Sequence, residues 1–202
     1  FHCLYGQKDL DKGNIMKAKD VLLTGIGKFP KNERILDGLM QLYTAEEGVG
    51  DPADLVTLID SAIADNPENV DLWFGRGRIF FALKQYDESI ASFQKVVELK
   101  PELFEGNYYL GVFYTIKADE MNKVMNEKQY SSQTAYDTDL KEVNAVYMDA
   151  VPWFEKAYEL KKDDVNTLDF LKSICFRLRD EEGMMDKYNK YNTLLKEAKG
   201  EE

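Results

Sequence analysis

One histidine, two cysteines and five prolines in 202 residues leave little material for several kinds of chemistry. The cysteines, Cys3 and Cys175, form no CxxC pair, which removes structural zinc and thioredoxin-type redox sites. They fall in opposite ends of the chain and are not expected to form a disulfide. That usage suits a reducing cytosol and equally an exported protein without disulfides, so cytoplasm and periplasm both stay open. The sole histidine, His2, has no Ser, Cys or carboxylate arrangement around it that resembles a nucleophilic triad. Basic residues are also short, 26 against 37 acidic, for a net charge of −11. Nucleic acid is excluded as a ligand on that balance, because binding it relies on clustered Lys and Arg to neutralise phosphates. No apolar run approaches the ~20 residues of a spanning helix, so no membrane insertion is expected.

Glycine-rich and acidic motifs fail in the same way. Gly48-Val49-Gly50 is not followed by the Gly-Lys-Ser/Thr of a phosphate loop, and Asp137-Thr138-Asp139 lacks the glycine and terminal glutamate of a calcium loop. Acidic clusters such as Asp180-Glu181-Glu182 read as solvated faces in a chain with 37 carboxylates. The reading is therefore a protein with no catalytic residues, no metal ligands and no cofactor: not an enzyme.

What the chain does have is apolar residues, 44% of the total, set out with helical spacing. Between Val70 and Pro101 one helix carries Trp73, Gly77, Phe80 and Leu83, and a second carries Ser89, Ile90, Phe93 and Val97. Glycine inside a helix costs about 1 kcal/mol relative to alanine, so Gly77 points to close approach of the second helix. Tyr86-Asp87-Glu88 reads as the turn, with Asp87 as N-cap. Pro101 ends the unit. Truncation of Trp73 is expected to cost about 3–5 kcal/mol, as the loss of a buried ring does.

The pattern recurs. Pro30, Pro67 and Pro101 stand 37 and 34 residues apart. Five units are read, at about 1–30, 31–67, 68–101, 102–162 and 163–199, as a single domain. The first reads as the end of one helix at Phe1–Leu10, a turn at Asp11–Asn14 and a second helix from about Ile15. The chain opens without an initiator Met inside that helix, so it is read as a fragment, with any targeting segment upstream. The second unit takes its extra residues in the turn around Gly48. In the fourth, Asn107, Leu110, Gly111 and Tyr114 repeat the register of Trp73, Arg76, Gly77 and Phe80, after which an insertion of 27 residues, about 117–146, delays the second helix. Ala118, Met121 and Met125 continue one helical stripe, and Leu140, Val143, Tyr147 and Ala150 form another. Both helices are therefore expected to extend into an antiparallel hairpin, with Asp137 or Asp139 capping the return and Pro152 kinking it or marking where the extension ends.

Trp73, Gly77, Phe80, Ser89, Phe93 and Pro101 resemble the bulky, small, aromatic, small, aromatic and proline positions of the tetratricopeptide repeat, of the bacterial type. That resemblance implies an all-α fold, a right-handed superhelical solenoid of antiparallel helix hairpins, here with one extended hairpin. It implies a non-catalytic scaffold or adaptor, with a protein or peptide segment held in a concave groove lined by the first helix of each repeat. Carried over residue by residue, the groove comprises Asp37, Gln41 and Thr44; Phe74, Arg78 and Phe81; Tyr108, Tyr109, Val112 and Thr115; and Asp169, Ser173, Phe176 and Arg177. With Arg34, the arginines would pair with acidic groups or a C-terminal carboxylate. The family's chaperone-binding carboxylate clamp does not carry over, since Asp37, Phe74 and Tyr108 occupy its Lys or Asn positions. The alternative is a structural protein that forms a homo-oligomer through the hairpin, with Met125, Tyr130 and Tyr136 as the contact surface.

Overall fold

In the computed structural model, residues 12–29, 32–44 and 51–200 are described. They form nine α-helices: α1 (Lys12–Lys28), α2 (Glu33–Thr44), α3 (Pro52–Asp65), α4 (Val70–Ala82), α5 (Tyr86–Leu99), α6 (Phe104–Glu127), α7 (Gln133–Leu160), α8 (Val165–Arg177) and α9 (Met184–Lys199). No strand occurs among these residues, as the all-α reading required. The half-helix read at Phe1–Leu10, with His2 and Cys3, and the turn at Gly48 lie outside the described residues. Two compact units divide the chain, residues 1–92 and 93–202, and α5 spans the division.

Local chemistry accounts for the helix starts. Asp51 accepts the backbone N–H of Ala53 at 2.9 Å and Pro52 fills the first turn of α3, where its missing N–H has no consequence. Asn69 caps α4 by accepting from Asp71 and Leu72, and Asp164 caps α8 through both the N–H and the hydroxyl of Thr167. Three expectations about helix starts are corrected. Lys12 to Asn14, read as turn, are helical and belong to α1. Asp87 is in the first turn of α5, where its charge favours the helix dipole, and is not its N-cap. Asp137 and Asp139 lie inside α7, whose cap is Ser132, with its hydroxyl oxygen accepting from Ala135 N–H at 3.3 Å.

The end of α4 shows a backbone requirement that the sequence does not meet. Lys84 N–H reaches Phe81 O and Gln85 N–H reaches Phe80 O, both at 2.9 Å, and Lys84 adopts φ 58°. This is the paired closure in which a left-handed residue, usually glycine, follows the helix. A side chain there costs about 1–2 kcal/mol, part of which is offset by the freedom glycine has when unfolded. Lys84→Gly is expected to stabilise the chain by about 0.5–1 kcal/mol. A thermal midpoint at or below wild type would show that the turn is held without strain.

Unit 1 packs Leu39, Tyr43, Leu55, Ile59, Leu72 and Ile79 into one apolar cluster. Gly77 plays the part read for it: Ser89 on α5 donates to the Gly77 carbonyl at 2.9 Å. Trp73 is only half-buried, with its indole N–H on Pro67 O at 2.7 Å, so its truncation should cost less than the full 3–5 kcal/mol of a buried ring. Asn107 does the same job in unit 2, donating to Pro101 O at 2.9 Å from a site 2% exposed. Tryptophan and asparagine differ in shape, but each ties its helix to the carbonyl of the proline six residues earlier.

Unit 2 is built on α6 and α7, which pack along each other as the long hairpin. Helix α7 runs unbroken through Pro152, whose side chain is exposed. A second cluster joins Ala118, Val143, Tyr147, Ala150, Phe154, Leu168, Leu171 and Tyr191. Beside it, the Glu155 carboxylate receives Lys187 at 2.8 Å and the Tyr191 hydroxyl at 2.7 Å. Burial alone would raise that carboxyl, but the two hydrogen bonds outweigh it and hold it below the ordinary range. Cys175 is a buried free thiol, pushed up to about 11 by desolvation.

Candidate functional site

An open cleft of about 350 Å³ lies in unit 2, walled by α6, α7 and α8. Helix α8 supplies Asn166, Asp169, Phe170, Ser173, Ile174 and Arg177. Asn166, Asp169, Ser173 and Arg177 recur at spacings of three and four, which puts them along one face. Thr115 and Asp119, one turn apart on α6, form the opposite wall, and Tyr147 on α7 closes one side. The floor is rigid because Phe170 stacks on Phe154, ring centres 4.8 Å apart and planes within 12°.

Tyr147 organises the charged end. It is 3% exposed, its hydroxyl donates to Asp119, and its ring lies 4.4 Å from the guanidinium carbon of Arg177. Burial, and then the bond to Asp119, holds its hydroxyl well above the ordinary tyrosine range, so it remains a donor at neutral pH. Arg177 also donates from Nη2 to Asn122 Oδ1 at 2.8 Å, which ties α8 to the extended part of α6.

Of the residues carried over from the repeat pattern, Thr115, Asp169, Ser173 and Arg177 come together here. Others do not. Phe74 is 2% exposed, because α4 is buried around most of its circumference, and so it presents no surface. Tyr108 sits among the rings of Phe104, Tyr109, Phe154 and Phe170, and Tyr109 packs on Phe93 and Phe113. Both tyrosines and Val112 are half-buried, as are Arg78 and Phe81, the latter against Tyr86. Phe176 is 48% exposed but faces Tyr188 and Arg179. Arg34 and Gln41 are exposed on α2, and the side chains of Asp37 and Thr44 lie outside the described residues.

Asp119, Asn122 and Tyr147 escape the sequence reading of the site. All three belong to the insertion or its edge, where the repeat pattern has no counterpart. The spacing Thr115, Asp119, Asn122 is the available signal, polar residues three and four apart that share one face of α6.

The hairpin surface is corrected too. Met125 is 4% exposed and belongs to the core cluster of unit 2. Tyr130 and Tyr136 are half-buried and meet edge to face at 5.4 Å. Tyr130 donates to Asp139 at 2.7 Å, where Lys128 also binds at 2.6 Å. Those two donors hold the Asp139 carboxyl below its ordinary value of 3.8. A carboxyl depressed by folding contributes stability above its unfolded value and loses it as pH falls through the folded one. Wild type should therefore exceed Asp139→Asn in stability at neutral pH, with the gap closing below about pH 4 in an acid denaturation series. A gap independent of pH would show that the charge of Asp139 contributes nothing.

The tetratricopeptide repeat family model matches residues 44–103. Residues 44–103 carry tetratricopeptide repeat sequence. A comparison with curated proteins gave no match. Among solved structures the repeats are similar to a crystal structure of MamA, with a TM-score of 0.56 at 16% identity over 94% of this chain and 91% of that one. A second crystal structure of MamA gives 0.55 at 15% identity over 94% and 85%, and a MamA double mutant 0.50 at 17% over 94% and 90%. At such identities the likeness speaks for the fold alone. Among the described residues no helix is long and apolar enough to cross a membrane, and no group of acidic, His or Cys side chains is placed to hold a metal ion.

Proposed function

We propose that the chain is a non-catalytic scaffold or adaptor, and that the cleft between α6, α7 and α8 holds a segment of a partner protein. The observation that carries this is the cleft's composition. A firm apolar floor of Phe170 and Ile174 is rimmed by Asp119, Asn166, Asp169, Ser173 and Arg177, all fixed on helices. Such a surface buries an apolar side chain while a few polar groups set the direction of the peptide. The competing idea, assembly of copies through the hairpin, has less support. Met125 is in the core, and the tip tyrosines and Asp139 are engaged with one another.

Selection from a random peptide library on the wild-type chain tests the proposal, with Ser173→Trp as the comparison. Ser173 is exposed, so the larger ring fills the cleft without entering the core. Peptides selected on wild type should bind the variant at least about tenfold more weakly, with unchanged circular dichroism. Binders indifferent to the tryptophan would move the interaction surface elsewhere.

A further inference from the structure

The cleft carries its charges in two places. At one end Asp119 and Arg177 meet the same ring: the Tyr147 hydroxyl donates to Asp119, and the Arg177 guanidinium carbon lies 4.4 Å from the ring centre. These opposite charges offset each other across Tyr147. Asp169 has no such counterpart. It stands on α8 eight residues before Arg177, about 12 Å along the axis at 1.5 Å per residue, beyond the ~8–10 Å over which salt leaves exposed charges in contact. Among the described residues its carboxylate forms no hydrogen bond and no ion pair, and Lys172, three residues on, does not line the cleft.

The neighbours of Asp169 in the cleft are acceptors and an apolar ring. Asn166 lies one turn before it and Ser173 one turn after, both exposed and both without a hydrogen-bond partner among the described residues, and Phe170 floors the cleft beside them. A carboxylate with an amide oxygen, a hydroxyl and a ring within one turn suits a long basic side chain, whose methylene stem lies along the ring while its charged head donates to the oxygens. An acid at this place would be repelled. An apolar side chain would take the carboxylate out of water and give it no donor in exchange. The chain as a whole carries −11, so its field draws basic segments in and turns acidic ones away.

Resting on the cleft as the binding site, we propose that the segment held there is a basic peptide, which docks an arginine or lysine side chain on Asp169 with its stem along Phe170. Arginine is the better fit, because both oxygens of Asp169 are open to the two parallel hydrogen bonds of a guanidinium fork. A basic head at Asp169 escapes most of the repulsion from Arg177, two turns further along α8, whose charge Asp119 already offsets.

The test is an NMR titration of the full nitrogen-labelled chain, following the backbone amides from Asn166 to Ser173. The probes are acetyl-Leu-Arg-Leu amide and the same tripeptide with lysine, glutamate or citrulline, the uncharged analogue of arginine, at its centre. The expected result is a saturable shift with the arginine or lysine peptide, binding at least about fivefold weaker with citrulline, and none with glutamate. Whichever basic peptide binds more tightly names the head group. Asp169→Asn should weaken the basic peptide about fivefold. Glu142→Gln, which removes the same charge from an exposed site on α7 outside the cleft, should leave binding unchanged. Both positions are exposed, so both variants should keep the wild-type circular dichroism. A citrulline peptide as effective as arginine, indifference to Asp169→Asn, equal weakening by Glu142→Gln, or no saturable shift with either basic peptide overturns the proposal. Library peptides that occupy the cleft without a basic residue would defeat this inference and leave the binding site standing, whereas library peptides that ignore the cleft would defeat the reading beneath it.

Discussion

Phe154→Ala is expected to cost about 3–5 kcal/mol, the range for losing a fully buried ring. Phe154 is 0% exposed, stacks on Phe170 and meets Tyr108 edge to face at 5.9 Å. Its removal opens a void at the centre of unit 2 that two neighbouring rings are too constrained to fill. Because Phe170 also floors the cleft, the same change should weaken any peptide held there, by loosening Phe170 beneath it. Urea denaturation gives the first quantity and the library binders the second. A loss of stability below about 1.5 kcal/mol would show that the neighbouring rings collapse into the space.

A smaller change at the same contact should reverse sign with its background. A Cβ added at Gly111 would lie 2.9 Å from Cγ, Cδ2 and Cε2 of Phe154. Alanine is favoured over glycine in a helix by about 1 kcal/mol, but overpacking against a ring that is itself stacked costs about 1–3 kcal/mol. Gly111→Ala should therefore destabilise wild type by up to about 2 kcal/mol. In the Phe154→Ala background the obstacle is gone, and the same substitution should stabilise by up to about 1 kcal/mol. The cycle isolates a coupling between residues that face each other from α6 and α7. Equal effects in both backgrounds would mean that the ring slides aside without cost.

Gly111 was legible in the sequence, since it repeats the register of Gly77, whereas the ring it faces, Phe154, came from the structure. Helix spans were legible as well from apolar spacing, which acts within a few residues of where it stands; Pro52 at a helix start and Asp51 and Asn69 as caps came from the structure. The errors have a common origin. Asp87, Asp137 and Asp139 are residues that cap helices well, but a cap needs non-helical backbone at that position, and Ser132 has it. Phe74 and Met125 sit on helix faces that the pattern left facing outward. Each is covered, because α4 is buried around most of its surface and α6 is enclosed by α7 and by the cluster that α8 joins.

The cleft divides along the same line. Asp169, Ser173 and Arg177 follow from the repeat register, because equivalent positions of equivalent helices face the same way. Asp119, Asn122 and Tyr147 come from the inserted hairpin, for which no register exists.

The sequence by itself determined that this chain is all helix, where most of its helices stop, and which residues recur in register, since those properties rest on local spacing, capping and proline. Only the tertiary structure decided which faces are covered and where a ligand has room. Tyr147 meets Asp119 across 28 residues and Arg177 meets Asn122 across 55, and burial depends on such distant contacts, which no periodicity along the chain encodes.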